Sequence, residues 1–535
     1  MKLKGNLVNL FTEDIYPVEL SFDTAIRSIH HISQEQSTFL LPGFIDAHIH
    51  VESSLLCPSR FAEAVVPHGT TCTISDPHEI ANVLGVEGIR YMIEDTQVLK
   101  IYYTAPSCVP ATPFETSGAL LPAETIGALF DRYPLIGLGE VMNVPGVISS
   151  DPDLIEKISI ARRHGKPIDG HAPGLTGISL QQYISKGIST DHECTTLEEA
   201  REKLELGMHI LIREGTASKN FKDLMGLNYD RCFLVSDDLH AEDMERGHMD
   251  VLLQQAVSSG IDPITAIKMV TLNPADHYHL DTGILTPGRP ADIVVATDLH
   301  HFEVMDVFID GAHVAHRGIP LFSAHPIPFR SPFLVNKKNP EDFAIACHEK
   351  ERVKVRVIGI VEGQLFTRSD TATLVCEDGR ILPDVEQDVL KLAVVDRYGQ
   401  NHVGKGFARG FGMQKGALAS SVSHDSHNII AVGTSDDLMA QAVNTLIDMK
   451  GGIAACGEKT IVLGLPVAGL MSEKDVHAVA RSHRKVQDYA RELGCVIQNP
   501  FMQLSFLALL VIPELKLSDR GLFDSTAFQF VDVIT

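Results

Sequence analysis

The sequence has no run of about 18 consecutive apolar residues, the length a membrane-spanning helix needs, so no segment is expected to cross a bilayer. The longest apolar run near the C-terminus, Leu504 to Ile512, is too short for that and reads as a buried element. The N-terminal MKLKGNLVNLFTEDIYPVEL lacks both an apolar core and a small-residue cleavage site, which argues against a secretory signal. The nine cysteines (57, 72, 108, 194, 232, 347, 376, 456, 495) contain no CxxC pair. An odd, scattered set points to reduced thiols and a cytoplasmic protein. Basic residues are few: 45 Lys and Arg stand against 69 Asp and Glu, a formal net charge of −24. Such a surface repels phosphate backbones and anionic lipid, so neither nucleic acid nor membrane is an expected partner. Glycine-rich phosphate cradles are missing too. No GxGxxG follows the first strand, and GKGFARGFG (404–412) lacks a GK[ST] ending, so it reads as a turn or a mobile lid.

What is present is ordinary globular composition, 44% hydrophobic and 21% charged. At about 150 residues per domain, 535 residues make three to four domains, or two to three if one is a barrel of roughly 250. Residues 1–40 read as short strands with turns. Eight strand candidates follow: 39–50, 70–78, 100–107, 135–141, 167–172, 189–193, 209–215 and 232–238. Helical patterns such as PDLIEKISIARRHG and TLEEAREKLELG lie between them; in the second, Thr195 and Thr196 suit an N-cap and Gly207 a C-cap. This alternation predicts a closed parallel (β/α)8 TIM-type barrel, with an open doubly wound sheet as the alternative. After a helix pair around 244–271 the pattern returns to alternating strands, with a hairpin turn at Asp310-Gly311. The expected division is a small β-sandwich from 1–40 plus 281–325, a barrel over 41–280, a proline-rich linker at 325–333, and a C-terminal α/β or α+β domain over 326–535.

Barrel strands converge at their C-terminal ends. Those ends carry His48-Ile49-His50, Asp76-Pro77-His78-Glu79, Glu140, His171, His192 and Asp237-Asp238. The i, i+2 spacing puts both imidazoles of the first pair on one face. Four imidazoles and two carboxylates in one mouth can hold two divalent cations, and nitrogen and oxygen donors suit Zn, Fe or Mn. Taken singly, a histidine is more often a hydrogen-bonded core or surface residue, DPHE reads as a helix start, and Asp-Asp caps a helix. Agreement among the strands favours the site. His50-Val51-Glu52 matches half of the zinc cytidine-type deaminase signature, but no P-C-x-x-C accompanies it. In the C-terminal domain, His424-Asp425-Ser426-His427, with Asp436-Asp437 downstream, reads as a solvated, capped loop, as an extra metal site, or as a group reaching over the barrel mouth. The basic stretch RSHRKVQDYAREL (481–493) reads as a solvated helix face.

PGFIDAHIHVESS, SDPHEIANVLG, GLGEVMN, GHAPG, DHE, VSDD and GMQKGALASSVSHDSHNIIAVG together resemble the amidohydrolase superfamily and, within it, the adenine deaminases, over essentially the whole chain. Glu140 stands where many amidohydrolases carry a carboxylated lysine, as it does in adenine deaminases. The resemblance implies a binuclear Mn(II) or Fe(II) centre, with Zn(II) also accommodated. It implies conversion of adenine and water to hypoxanthine and ammonia, a role in purine salvage, and a homodimer. His48, His50 and Glu140 would hold one metal, and Glu140, His171 and His192 the other. Asp237 would ligate or adjoin a metal and shuttle the proton; it is preferred to Asp238 because Ser-Asp is the family's strand-eight pattern, and Asp238 would point the other way in a strand. His78, Glu79 and His427 are the expected substrate contacts, with His78 a possible general acid. Two other readings compete. One is an amidohydrolase acting on a cyclic amide or another amino-heterocycle, and the other is a barrel kept as a non-enzymatic scaffold.

Overall fold

Gly43 divides the first expected strand in two. A Cβ there would lie 2.0 Å from Thr71 Oγ1, so only glycine permits the close crossing at which the chain changes sheets. In the computed structural model, which describes residues 1–329, 333–348, 351–361 and 363–535, Phe39–Pro42 joins a flanking sheet and Phe44–Ile49 opens the barrel.

The barrel strands are β1 (Phe44–Ile49), β2 (Thr70–Ser75), β3 (Lys100–Tyr103), β4 (Leu138–Val141), β5 (Ile168–Gly170), β6 (Thr190–Asp191), β7 (His209–Arg213) and β8 (Cys232–Val235). They fall within the eight segments expected from the sequence. All are parallel to their neighbours where paired: β1–β2–β3, β4–β5 and β6–β7–β8. An Ala105–Leu138 bridge links β3 to β4, and Ser189 N donates to Ile168 O at 3.0 Å between β5 and β6. An Ile49–Asp237 bridge brings β8 back to β1 and closes the barrel. Every residue of β1, β2 and β8 is buried, as strands packed on both faces require. Between β6 and β7 the helix Leu197–Glu205 starts where expected, with the Thr196 side chain accepting from Glu199 N at 3.3 Å.

Both flanks of the barrel build one eight-stranded sheet, from Lys2–Val8, Ile15–Phe22, Ile26–His31 and Phe39–Pro42 with Ile293–Ala296, Val304–Ile309, Ala312–His316 and Ile319–Pro320. The sheet curls on itself: Phe22 and Phe308, whose strands have three others between them, meet edge to face at 5.4 Å. Asp310 and Gly311 both take positive φ (46° and 73°), as a two-residue hairpin turn demands.

The C-terminal region centres on a nine-stranded sheet backed by helices Asp436–Met449 and Val476–Glu492. Three expectations change here. GKGFARGFG is neither turn nor lid: Val403–Arg409 is a sheet strand, and the following Gly410 and Gly412 amides each donate to Asp388 at 2.8 Å. Cys347 and Cys376 are joined as a disulfide, so the thiols are not all reduced; Cys57, Cys72, Cys108, Cys194, Cys232 and Cys456 are free thiols, all buried. Within the basic helix, His483 is fully buried. Residues 330–332 of the expected linker lie outside the described residues.

Candidate active site

His48 and His50 leave β1 on one face, and their rings meet edge to face at 5.1 Å. His50 Nδ1 lies 3.0 Å from the Asp76 carbonyl oxygen, just past β2. An N–H donated there leaves the lone pair on Nε2, which faces the barrel mouth. Asp76 also places Glu140: its Oδ2 accepts from the Glu140 backbone N at 2.9 Å. Gly139 makes that approach possible, since a Cβ would lie 2.2 Å from the same oxygen.

The Glu140 carboxylate sits between two imidazole pairs. Its Oε1 is 3.3 Å from His48 Nε2 and 2.8 Å from His50 Nε2. Its Oε2 is 2.9 Å from His171 Nδ1 and 3.5 Å from His192 Nε2. Asp237 Oδ1 lies 3.4 Å from Nε2 of both His48 and His50. The geometry therefore brings together all six residues singled out as ligands. Burial raises the Glu140 carboxyl's proton affinity, but the surrounding imidazoles outweigh it and hold the group well below the usual carboxylate range. In the same way, Arg213 and the two β1 histidines outweigh burial at Asp237. Conversely, the adjacent Asp237 and Glu140 carboxylates outweigh the burial of His48 and push its pKa up to about 10.

These residues fit a pair of divalent ions. His48 Nε2, Glu140 Oε1 and His171 Nε2 are buried without hydrogen-bond partners. Orphaned polar atoms of this kind are costly unless something satisfies them. Nitrogen and oxygen donors on both sides of one carboxylate match what two such cations require.

Asp237 departs from the simple strand reading. β8 ends at Val235, and Asp237 takes a φ of 57°, the left-handed region. The reversal directs it to the imidazoles, while Asp238 Oδ1 accepts from Ser53 Oγ at 2.5 Å.

A second polar cluster adjoins the first. The His78 ring packs edge-on against His50 at 4.6 Å, and its Nε2 is 3.6 Å from Glu79 Oε1. Glu79 is clamped from the C-terminal domain by His424 (Nδ1 to Oε1, 2.6 Å) and by His427. The 424–427 segment thus reaches the barrel mouth. A cavity joins the two clusters, and His78, Glu79, His424 and Asp425 line it, but His427 stands behind Glu79 and does not. The apolar run read as a buried element roofs this cavity with Phe506, Leu509 and Val511.

Two residues escaped the sequence reading. Arg213, the last residue of β7, donates Nη1 to Asp237 Oδ2 and Nη2 to Glu193 Oε2, both at 2.9 Å. Glu193 Oε1 is also 3.4 Å from His192 Nε2. The strand-end rule points to both: HILIREG ends in Arg213-Glu214, and Glu193 directly follows His192.

Residues 39–314 match the amidohydrolase family, and residues 364–529 match the adenine deaminase C-terminal domain. The adenine deaminase of Methanosphaera stadtmanae is 47% identical over 540 residues, spanning 100% of this chain and 99% of that protein. The chain belongs to the adenine deaminase family. The adenine deaminases of Methanothermobacter thermautotrophicus and Salinibacter ruber are each 48% identical over 99% of this chain, covering 99% and 98% of those proteins. The family's C-terminal domain supplies His424, Asp425 and His427 here, so the site is built jointly by that domain and the barrel. Among the described residues, no helix is long and apolar enough to cross a membrane.

Proposed function

We propose that this protein hydrolyses adenine to hypoxanthine and ammonia. The observation that carries the reading is the two-sided Glu140 carboxylate, set between two imidazole pairs beneath a polar and apolar roof. Membership of the adenine deaminase family supports adenine over other amino-heterocycles and cyclic amides.

His48, His50, Glu140, His171, His192 and Asp237 would hold two divalent ions, Mn(II) or Fe(II) foremost and Zn(II) also accommodated. Such ions, when bound, lower the pKa of a shared water toward neutrality. Asp237 lies against the first imidazole pair and is kept ionised by Arg213, so it can take a proton from the water that attacks C6. The same carboxyl then returns the proton to the departing amine, and water is consumed as ammonia leaves. His78 and Glu79 face the cavity and can donate to or accept from the purine ring nitrogens. His427 acts through Glu79 by fixing its carboxylate. Phe506 and Leu509 give the flat ring an apolar cover. A homodimer working in cytoplasmic purine salvage completes the proposal, resting on the sequence resemblance.

The test is ammonia release from adenine by Mn(II)-loaded protein, with Glu140→Gln and Asp237→Asn beside it. Release by the wild type and its loss in both variants supports the reading. Absence of release from protein verified to carry two ions removes adenine as the substrate.

A further inference from the structure

The basic helix Val476–Glu492 carries a buried histidine that the reaction leaves unused. His483 is fully buried, and its Nδ1 lies 2.5 Å from Glu242 Oε1. Glu242 belongs to the short helix Ala241–Met244, directly after the loop that carries Asp237. His240, at the start of that helix, meets the His483 ring edge to face at 5.0 Å. His240, Glu242 and His483 offer three donor atoms within 4.8 Å of one another.

A plain hydrogen-bonded His–Glu pair does not account for this cluster. It uses one oxygen and one nitrogen, and leaves Glu242 Oε2, His240 Nδ1 and His483 Nε2 buried with no partner. Three unsatisfied buried atoms in one spot are unusual in a folded protein. Two neutral imidazoles and one carboxylate form the His₂Glu set that holds Zn(II) with a fourth position open to water. The Gln487 amide also lies 3.4 Å from His483 Nδ1. Next to it, His477 and Arg484 of the basic helix both meet Glu245, the residue that follows the short helix.

We propose that His240, Glu242 and His483 bind a divalent zinc ion, separate from the ions at the barrel mouth. The ion ties the segment after Asp237 to the C-terminal domain. It thereby braces the wall of the active site against the domain that roofs it. This inference does not depend on which substrate the barrel mouth takes.

The experiment counts zinc. Full-length protein is stripped with chelator, reloaded with Zn(II), freed of excess ion by desalting and analysed for zinc per chain. Wild type should hold one zinc more than His483→Gln or Glu242→Gln, whatever number the barrel mouth retains. Equal zinc in wild type and folded variants overturns the proposal. Because His483→Gln could disturb the buried helix, a gain-of-signal variant accompanies it. His483→Cys loaded with Co(II) should show a thiolate-to-cobalt charge-transfer band that identically loaded wild type lacks. A folded His483→Cys protein without that band also overturns the proposal.

Discussion

Replacing Lys203 by methionine should weaken both the fold and the grip on one ion, although Lys203 touches none of the proposed ligands. The ammonium is fully buried on the helix Leu197–Glu205. It donates to Glu199 Oε1 at 2.6 Å, to Asp191 Oδ2 at 3.0 Å and to the Ala172 carbonyl at 2.8 Å. Those partners carry the backbone on which the second imidazole pair rides. Ala172 follows His171, and Asp191 precedes His192 while its Oδ1 accepts from Ala172 N at 2.8 Å. Glu199 in turn accepts from Gly174 N at 2.9 Å. With an effective dielectric of about 20, each of the two charge contacts is worth roughly 6 kcal/mol of attraction. Most of that is offset by the desolvation of the three ions. Breaking such a buried group by removing one partner typically costs about 3–5 kcal/mol, because two carboxylates are left uncompensated. Urea unfolding of metal-free Lys203→Met should register a loss of that size. Metal titration should show the weaker of two ions bound roughly 10–100-fold less tightly, the usual effect of disturbing the groups behind a ligand. A stability loss under about 1 kcal/mol with unchanged ion affinity would refute the reasoning.

The chelated protein should lose stability as pH rises. In the metal-free fold His171 and His48 are pushed up to about 8 and about 10 despite burial, by Glu193 and Glu140 at His171 and by Asp237 and Glu140 at His48. Both values lie above the 6.5 of an unfolded histidine, so their contribution is complete below pH 6.5 and disappears as pH climbs through 8 and 10. Urea midpoints across that range should fall for chelated protein and fall less for Mn(II)-loaded protein, whose histidines are held neutral by the ions; parallel curves would sink the idea. Glu79→Gln should raise KM for adenine by roughly 10–100-fold, the cost of about 1–3 kcal/mol for a buried polar contact, with metal content preserved. An unchanged KM would place Glu79 outside substrate recognition. Arg213→Lys keeps the charge but loses the fork that spans Glu193 and Asp237. It should lower kcat by about 10–100-fold with the circular dichroism spectrum unaltered; full activity would show that the fork does not position Asp237.

How much of this was legible in the sequence follows from the range of the forces involved. The eight strands and the candidate ligands at their ends could be read because strand alternation and strand-end polarity are local signals. His48, His50 and Glu140 stand on or beside the strands that reveal them. Asp237 was found for an incomplete reason. Its side is set by a left-handed backbone, which strand alternation cannot encode. Arg213 and Glu193 stand at strand ends where the same rule applies, but the ion pair that gives them their role joins β7 to the second residue after β6 and has no fixed sequence spacing. The placement of 424–428 over the mouth is of the same kind, since Asn428 Nδ2 reaches the Thr116 carbonyl at 2.7 Å across 312 residues. His483 shows the limit most clearly. Its sequence neighbours Arg481 and Lys485 make the stretch look solvated, and helical period alone puts His483 on neither face with certainty. Only docking against the helix Ala241–Met244 turns that position inward, and the same docking gives it Glu242 as a partner. Residues whose chemistry depends on a second domain therefore become visible only when both domains are in place, which is why the roof of the site and the His240–Glu242–His483 cluster emerge from the structure while the clustered histidines and carboxylates of the barrel mouth emerge from the sequence.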